Sequence, residues 1–135
     1  MTIVLEKTEN GFGAWLDNCP DEFSGITTIG ATEGEVTDNV RMLIRDFLKN
    51  DFPDYPKFIG LKPDEIVFNY RYSLVDFFDS FSALKINSIA DLAGLNRSLV
   101  RQYASGAATA SAAQAKKIQE AILAFARSLL QVSVV

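Results

Sequence analysis

The chain contains no histidine and only one cysteine, Cys19. Without histidine, the usual general base, proton shuttle and zinc ligand are missing together. A single cysteine allows no intrachain disulfide, no thiolate metal cage and no CxxC pair, and it reads as a small, partly buried thiol. Carboxylates are what remains for acid–base chemistry, and no cofactor or metal is expected. No apolar run approaches the ~20 residues that a membrane-spanning helix needs. The first residues, "MTIVLEKTENGFG", lack a basic region followed by an apolar core and a cleavage site, so a cytoplasmic protein is expected. Proline is scarce and clustered, with three of the four within residues 53–63.

What is present is enough to fold. At 135 residues and 48% hydrophobic composition, the chain can bury a core in one ordinary domain or two small ones. Its charge is uneven: residues 1–73 carry 7 Lys plus Arg against 13 Asp plus Glu, whereas residues 74–135 carry 6 against 4. The only locally basic region lies between Arg97 and Arg127, inside a chain of net charge −4.

In the first half, "TIVLEKT" and "GFGAWLD" alternate as strands do, and the Asn-Gly pair of "ENG" between them favours a hairpin turn. "SGITTIG" reads as a third strand. Thr32 and Glu35 have the spacing of a capping box at a helix start, after which Val36, Val40, Leu43, Ile44, Phe47 and Leu48 share one face. "FPDYPKFIGLKPDE" is a connection by its prolines. "IVFNYRY" then alternates as a half-buried strand, with Ile66, Phe68, Tyr70 and Tyr72 on one side.

From Ser73 the period becomes helical. "SLVDFFDSFSAL", "SIADLAG", "NRSLVRQYASG" and "SAAQAKKIQEAILAFARSLL" read as four helices, with Ser88 capping the second, Asn96 the third and Thr109 or Ser111 the last. Gly94 and Gly106 fall where helices end. The tail "SLLQVSVV" is apolar for a chain end and is expected to pack within the chain or on a second subunit. The expected fold class is α+β: a small antiparallel-type sheet with one helix over residues 1–73, then an all-α helix-turn-helix domain over residues 74–135.

A short helix, a joint carrying Gly94 and a second helix capped by Asn96 is the layout in which the second helix enters the major groove of double-stranded DNA. Ile89, Leu92, Ala93, Leu95, Leu99, Val100 and Tyr103 supply the apolar residues that would hold the two helices together. Asn96, Arg97, Ser98, Arg101 and Gln102 form the outward set. Arginine donates two hydrogen bonds to guanine, and asparagine or glutamine both donates to and accepts from adenine. Ser88, Ser105, Thr109, Lys116 and Lys117 lie around the motif where they could hold phosphates. The same polar residues also suit the solvated face of a small helical bundle. Net acidity does not oppose DNA binding, because phosphates meet the local field within about one screening length. It does call for two copies on two half-sites, and the apolar last helix and tail could supply the pairing of a homodimer or higher even-numbered oligomer.

With strand-strand-strand-helix-strand in front and a helix-turn-helix behind, the chain resembles the HicB antitoxins of toxin–antitoxin pairs. In front, "VLEKTENGFGAWLDNCPDEFSGITTIGATEGEVTDNVRMLI" is similar to the family's hairpin, its glycine-led third strand and its "G-x-T-x-x-E" helix start, here Gly30, Thr32 and Glu35. Behind, "IADLAGLNRSLVRQYASG" is similar to the repressor-type helix-turn-helix of many members. The resemblance implies a partial RNase H-like front domain that neutralises a HicA-like toxin, a small basic mRNA-cleaving protein, and a back domain that represses its own operon as a dimer. The acidic front half suits a basic partner. The joint at residues 50–65 is long for the family, and the Pro-Gly-Cys run common before the third strand is missing, so no toxin-contacting residues are assigned.

An active nuclease would need several carboxylates gathered around two divalent ions. Asp17, Asp21, Glu22, Asp46 and Asp54 are available, but no acid sits in the middle of a buried first strand, and Glu6 falls on a strand that alternates. No enzymatic activity is expected. The alternative function keeps the helix-turn-helix in a stand-alone transcriptional regulator, whose front half senses a ligand or protein partner, with Phe12, Trp15 and Phe23 lining a pocket. A purely structural adaptor is the third class.

Overall fold

The computed structural model describes residues 1–135, and the chain divides into two compact units, Met1–Ser73 and Leu74–Val135. The fold is α+β: a four-stranded mixed sheet with one helix, followed by four helices. No helix is long and apolar enough to cross a membrane.

In the front unit, β1 (Thr2–Thr8) and β2 (Gly11–Asp17) form a hairpin, β3 (Thr27–Gly30) follows, α1 (Glu33–Asn50) crosses the sheet, and β4 (Asn69–Tyr72) returns to it. The strand order is β3-β2-β1-β4. Pairing is antiparallel through β1, β2 and β3, while β4 runs parallel to β1 because the chain reaches it by a crossover through α1. The hairpin forms, but Glu9 and Asn10 are its loop and neither has a positive φ. Gly11 takes that role with φ 146°, and a Cβ built on it would stand 2.3 Å from the Gly30 carbonyl oxygen. The turn thus needs glycine one step later than an Asn-Gly hairpin would place it.

Strand alternation sorts the sheet's two faces. Ile3, Leu5, Ala14 and Leu16 are buried under α1, which contributes Val36, Val40 and Ile44. Each of those three is fully shielded from solvent, a transfer worth ~1.5–3 kcal/mol apiece. Thr32 caps α1 by accepting from the Glu35 amide at 3.1 Å, and the Glu35 carboxylate accepts from the Ala31 amide at 2.9 Å, one residue before the usual reciprocal bond. The opposite face is open and carries Glu6, Gly13, Trp15, Thr27 and Ile29.

The proline-rich connection is packed rather than loose. It forms two short 3-10 turns, Pro56–Phe58 and Pro63–Glu65, and Phe58 is buried against Phe23 with ring centroids 4.8 Å apart. The Arg41 guanidinium donates to the Pro63 carbonyl and sits over the Phe68 ring. The last strand covers only Asn69–Tyr72; Ile66 and Phe68 pack on the core without joining the ladder.

The back unit has its own core of Phe78, Ile89, Ala90, Val100, Tyr103 and Ile118. Its helices are α2 (Leu74–Ser80), α3 (Ile86–Ala93), α4 (Arg97–Ser105) and α5 (Ala112–Leu129). The first helix stops at Ser80, short of the expected "FSAL" end. Helix α3 begins at Ile86 behind Lys85, which makes no side-chain cap bond, so Ser88 lies inside the helix instead of capping it. Packing of Ile86 and Ile89 sets that start.

Candidate nucleic-acid interface

The joint between α3 and α4 is closed by local bonds. Gly94 adopts φ 67°, and the amides of Gly94 and Leu95 donate to the Asp91 and Ala90 carbonyls at 3.1 and 3.0 Å, the pattern with which a left-handed glycine ends a helix. Asn96 then caps α4, its carboxamide oxygen accepting from the Leu99 amide at 3.1 Å. Gly106 ends α4 with φ 82°, and Ser111, not Thr109, caps α5 by accepting from the Gln114 amide at 3.2 Å. Buried Tyr103 donates its hydroxyl to the Gln114 side chain, tying α4 to the start of α5.

This frame gives α4 two sides. Val100 and Tyr103 are buried and Leu99 is half-buried, whereas Arg97, Ser98, Arg101, Gln102 and Ser105 are exposed on one stripe. The two arginines are held from α3. Arg97 forks onto Asp91, with Nε to Oδ1 at 2.8 Å and Nη2 to Oδ2 at 2.7 Å, and Arg101 Nη1 donates to Asn87 Oδ1 at 2.9 Å. Hydrogen bonding to Arg97 lowers the Asp91 carboxyl below its ordinary range and raises the guanidinium in return.

The remaining expected residues divide. Ser105 is taken up locally, its hydroxyl donating to the Gln102 carbonyl at 3.1 Å. Lys116 and Lys117 are exposed on the first turns of α5, Lys116 lying 4.0 Å from Glu120, and Thr109 is exposed in the loop before that helix. Ser88 is not on the arginine stripe. It lines a cleft of about 230 Å³ with Leu84, Ile89, Leu92 and Phe125. Leu92 belongs to this cleft and is 60% exposed, so it does not help hold α3 to α4.

The tail, expected to pack within the chain or on a second subunit, does not pack within it: Leu129, Leu130, Val132 and Val134 are all exposed. One expectation needs correction. Phe12, Trp15 and Phe23 do not line one pocket, since Phe23 is fully buried in the core, Phe12 packs against that core, and Trp15 points from the opposite face of β2. Among the front carboxylates, Asp17 pairs with Arg71 at 2.7 Å and Glu22 with Lys57 at 2.8 Å, and no group of three or more acids and cysteines is placed to hold a metal ion.

Sequence reasoning missed Asn87 and Asp91. Their signal was the matched spacing, four residues apart on α3 as Arg97 and Arg101 are on α4. No protein-family model, curated protein or solved structure matches the chain.

Proposed function

We propose that the chain is a DNA-binding repressor of the HicB antitoxin type, acting in the cytoplasm. Its back unit binds the operator of its own operon through α4, and its acidic front unit binds and neutralises a small basic HicA-like toxin. The observation that carries the reading is the α3–α4 pair, in which a left-handed glycine, an asparagine cap and a buried apolar side leave two arginines, two serines and a glutamine exposed on one stripe. The order of elements in the front unit, three strands, one helix and a fourth strand, repeats the order on which the resemblance rests.

Two copies act together. The last turns of α5 and the tail expose Leu123, Leu129, Leu130 and Val132, an apolar surface suited to pairing subunits on two half-sites. In this reading the front unit binds its partner and has no catalytic role; Asp17 and Glu22 pair with Arg71 and Lys57.

The test is binding to DNA from upstream of the reading frame, measured by fluorescence anisotropy across a salt series. Specific binding that weakens with salt, and is lost in Arg97→Ala/Arg101→Ala, is the expected result. Binding that is absent at low salt, or unchanged in the double variant, refutes the assignment of α4.

A further inference from the structure

Arg97 occupies the first position of α4, where the helix dipole disfavours a cation, so its presence there is not explained by helix stability. Its partner Asp91 is exposed, as Arg97 is, with 51% and 58% of the side chains accessible, and an exposed pair of this kind contributes little to folding. What the pair does fix is direction. A guanidinium has five N–H donors in a planar fork, and the bonds to Asp91 use Nε and one donor of Nη2. The other edge, both donors of Nη1 and the second of Nη2, remains for a second planar acceptor. Arg101 is held in the same sense by Asn87, through Nη1 alone.

Resting on the DNA-binding reading, we infer that Asp91 and Asn87 are positioning residues that set Arg97 and Arg101 as forks for two guanines in each half-site. Asn87 and Asp91 are one turn apart on α3, and the arginines are one turn apart on α4, so the two bonds form parallel rungs between the helices. Four residues along a helix advance ~6 Å, and base pairs repeat every ~3.4 Å. The two guanines therefore stand about two base-pair steps apart. Holding each fork in place before contact reduces the side-chain entropy lost on binding, which favours the guanine N7/O6 pair over other acceptors. Asp91 also repels phosphates. Its carboxylate thus weakens random binding while strengthening choice.

The experiment selects binders for the full-length protein from duplexes with a randomised core of about 20 base pairs, then compares the best duplex with random duplex by anisotropy. A control duplex carries 7-deazaguanine, which lacks the N7 acceptor. Wild-type winners are expected to hold guanines about two steps apart and to lose their advantage on deaza substitution. Asp91→Asn is expected to lower the specific-to-random affinity ratio by up to ~5–150-fold, the range of one bidentate base contact, with random affinity equal or higher. Arg97→Lys keeps the charge without the fork and should lose the same selectivity, while Asp91→Glu should recover part of it. A ratio within twofold of wild type in Asp91→Asn, or winners without guanine, overturns the inference while leaving the DNA reading intact. Failure of the wild type to bind any duplex at low salt overturns both.

Discussion

Replacing Gly11 by alanine puts a methyl group where the backbone of another strand already stands. The new Cβ would lie 2.3 Å from the Gly30 carbonyl oxygen and 2.8 Å from the Ala31 Cα, and Gly11 has φ 146°. That conformation costs a residue with a Cβ ~1–3 kcal/mol. Neither neighbour is a side-chain end that can swing away, so the β2–β3 ladder must shift at Phe12↔Gly30, adding ~1–3 kcal/mol of overpacking strain. Together the loss is ~2–6 kcal/mol, or roughly 10–40 °C in the melting temperature of a unit this size. Gly13 is the control. It lies in the same strand at an ordinary negative φ with nothing within 4 Å of a built Cβ. Gly13→Ala should leave stability unchanged or raise it by up to ~1 kcal/mol through the unfolded state. Trp15, the only tryptophan, sits in β2 and reports both variants by fluorescence during thermal unfolding. A Gly11→Ala shift under ~2 °C, well below the span that these costs imply, would refute the claim that the hairpin closes against Gly30.

Two further outcomes follow from the geometry. Asn96→Ala removes the cap of α4 and should cost ~0.5–2 kcal/mol, read as a lower midpoint in helical circular dichroism, whereas Ser88→Ala should stay within ~0.5 kcal/mol because Ser88 caps nothing. Burial, and then the hydrogen bond that Tyr72 donates to Glu33, raise the Tyr72 phenol above its ordinary range. The folded state therefore keeps this proton longer than the unfolded chain does. The stabilisation is complete below the unfolded phenol value of ~10 and is lost as pH rises through the folded value. The gap between the urea midpoints of wild type and Tyr72→Phe should narrow as pH rises above ~10, and a constant gap up to pH 11 would refute the assignment.

Much of the fold was legible because burial writes its period into the chain. Ile3, Leu5, Ala14 and Leu16 alternate, and Val36, Val40 and Ile44 recur at helical spacing, so strand and helix were separable without coordinates. Pairing between elements left no such trace. That β4 lies parallel beside β1 depends on where α1 carries the chain, and Ile66 and Phe68 show strand-like alternation while packing outside the ladder. Caps were readable where a side chain makes the bond, as at Thr32, Asn96 and Ser111, and misleading at Ser88, where packing alone starts the helix. The exposed arginines were visible from sequence. Their partners on α3 were not, because Asp91 and Asn87 gain meaning only once the joint at Gly94 folds one helix against the other.

The aromatic residues of the proline-rich connection bear on how the front unit can be cut or transplanted. Phe52, Tyr55 and Phe58 lie ring against ring, and Phe58 reaches Phe23 on the other side of α1 in sequence. A shortened version that joins α1 directly to β4 would strip the cover from Phe23 and precipitate. Anyone grafting this unit onto another protein must carry it whole, from Met1 through Tyr72.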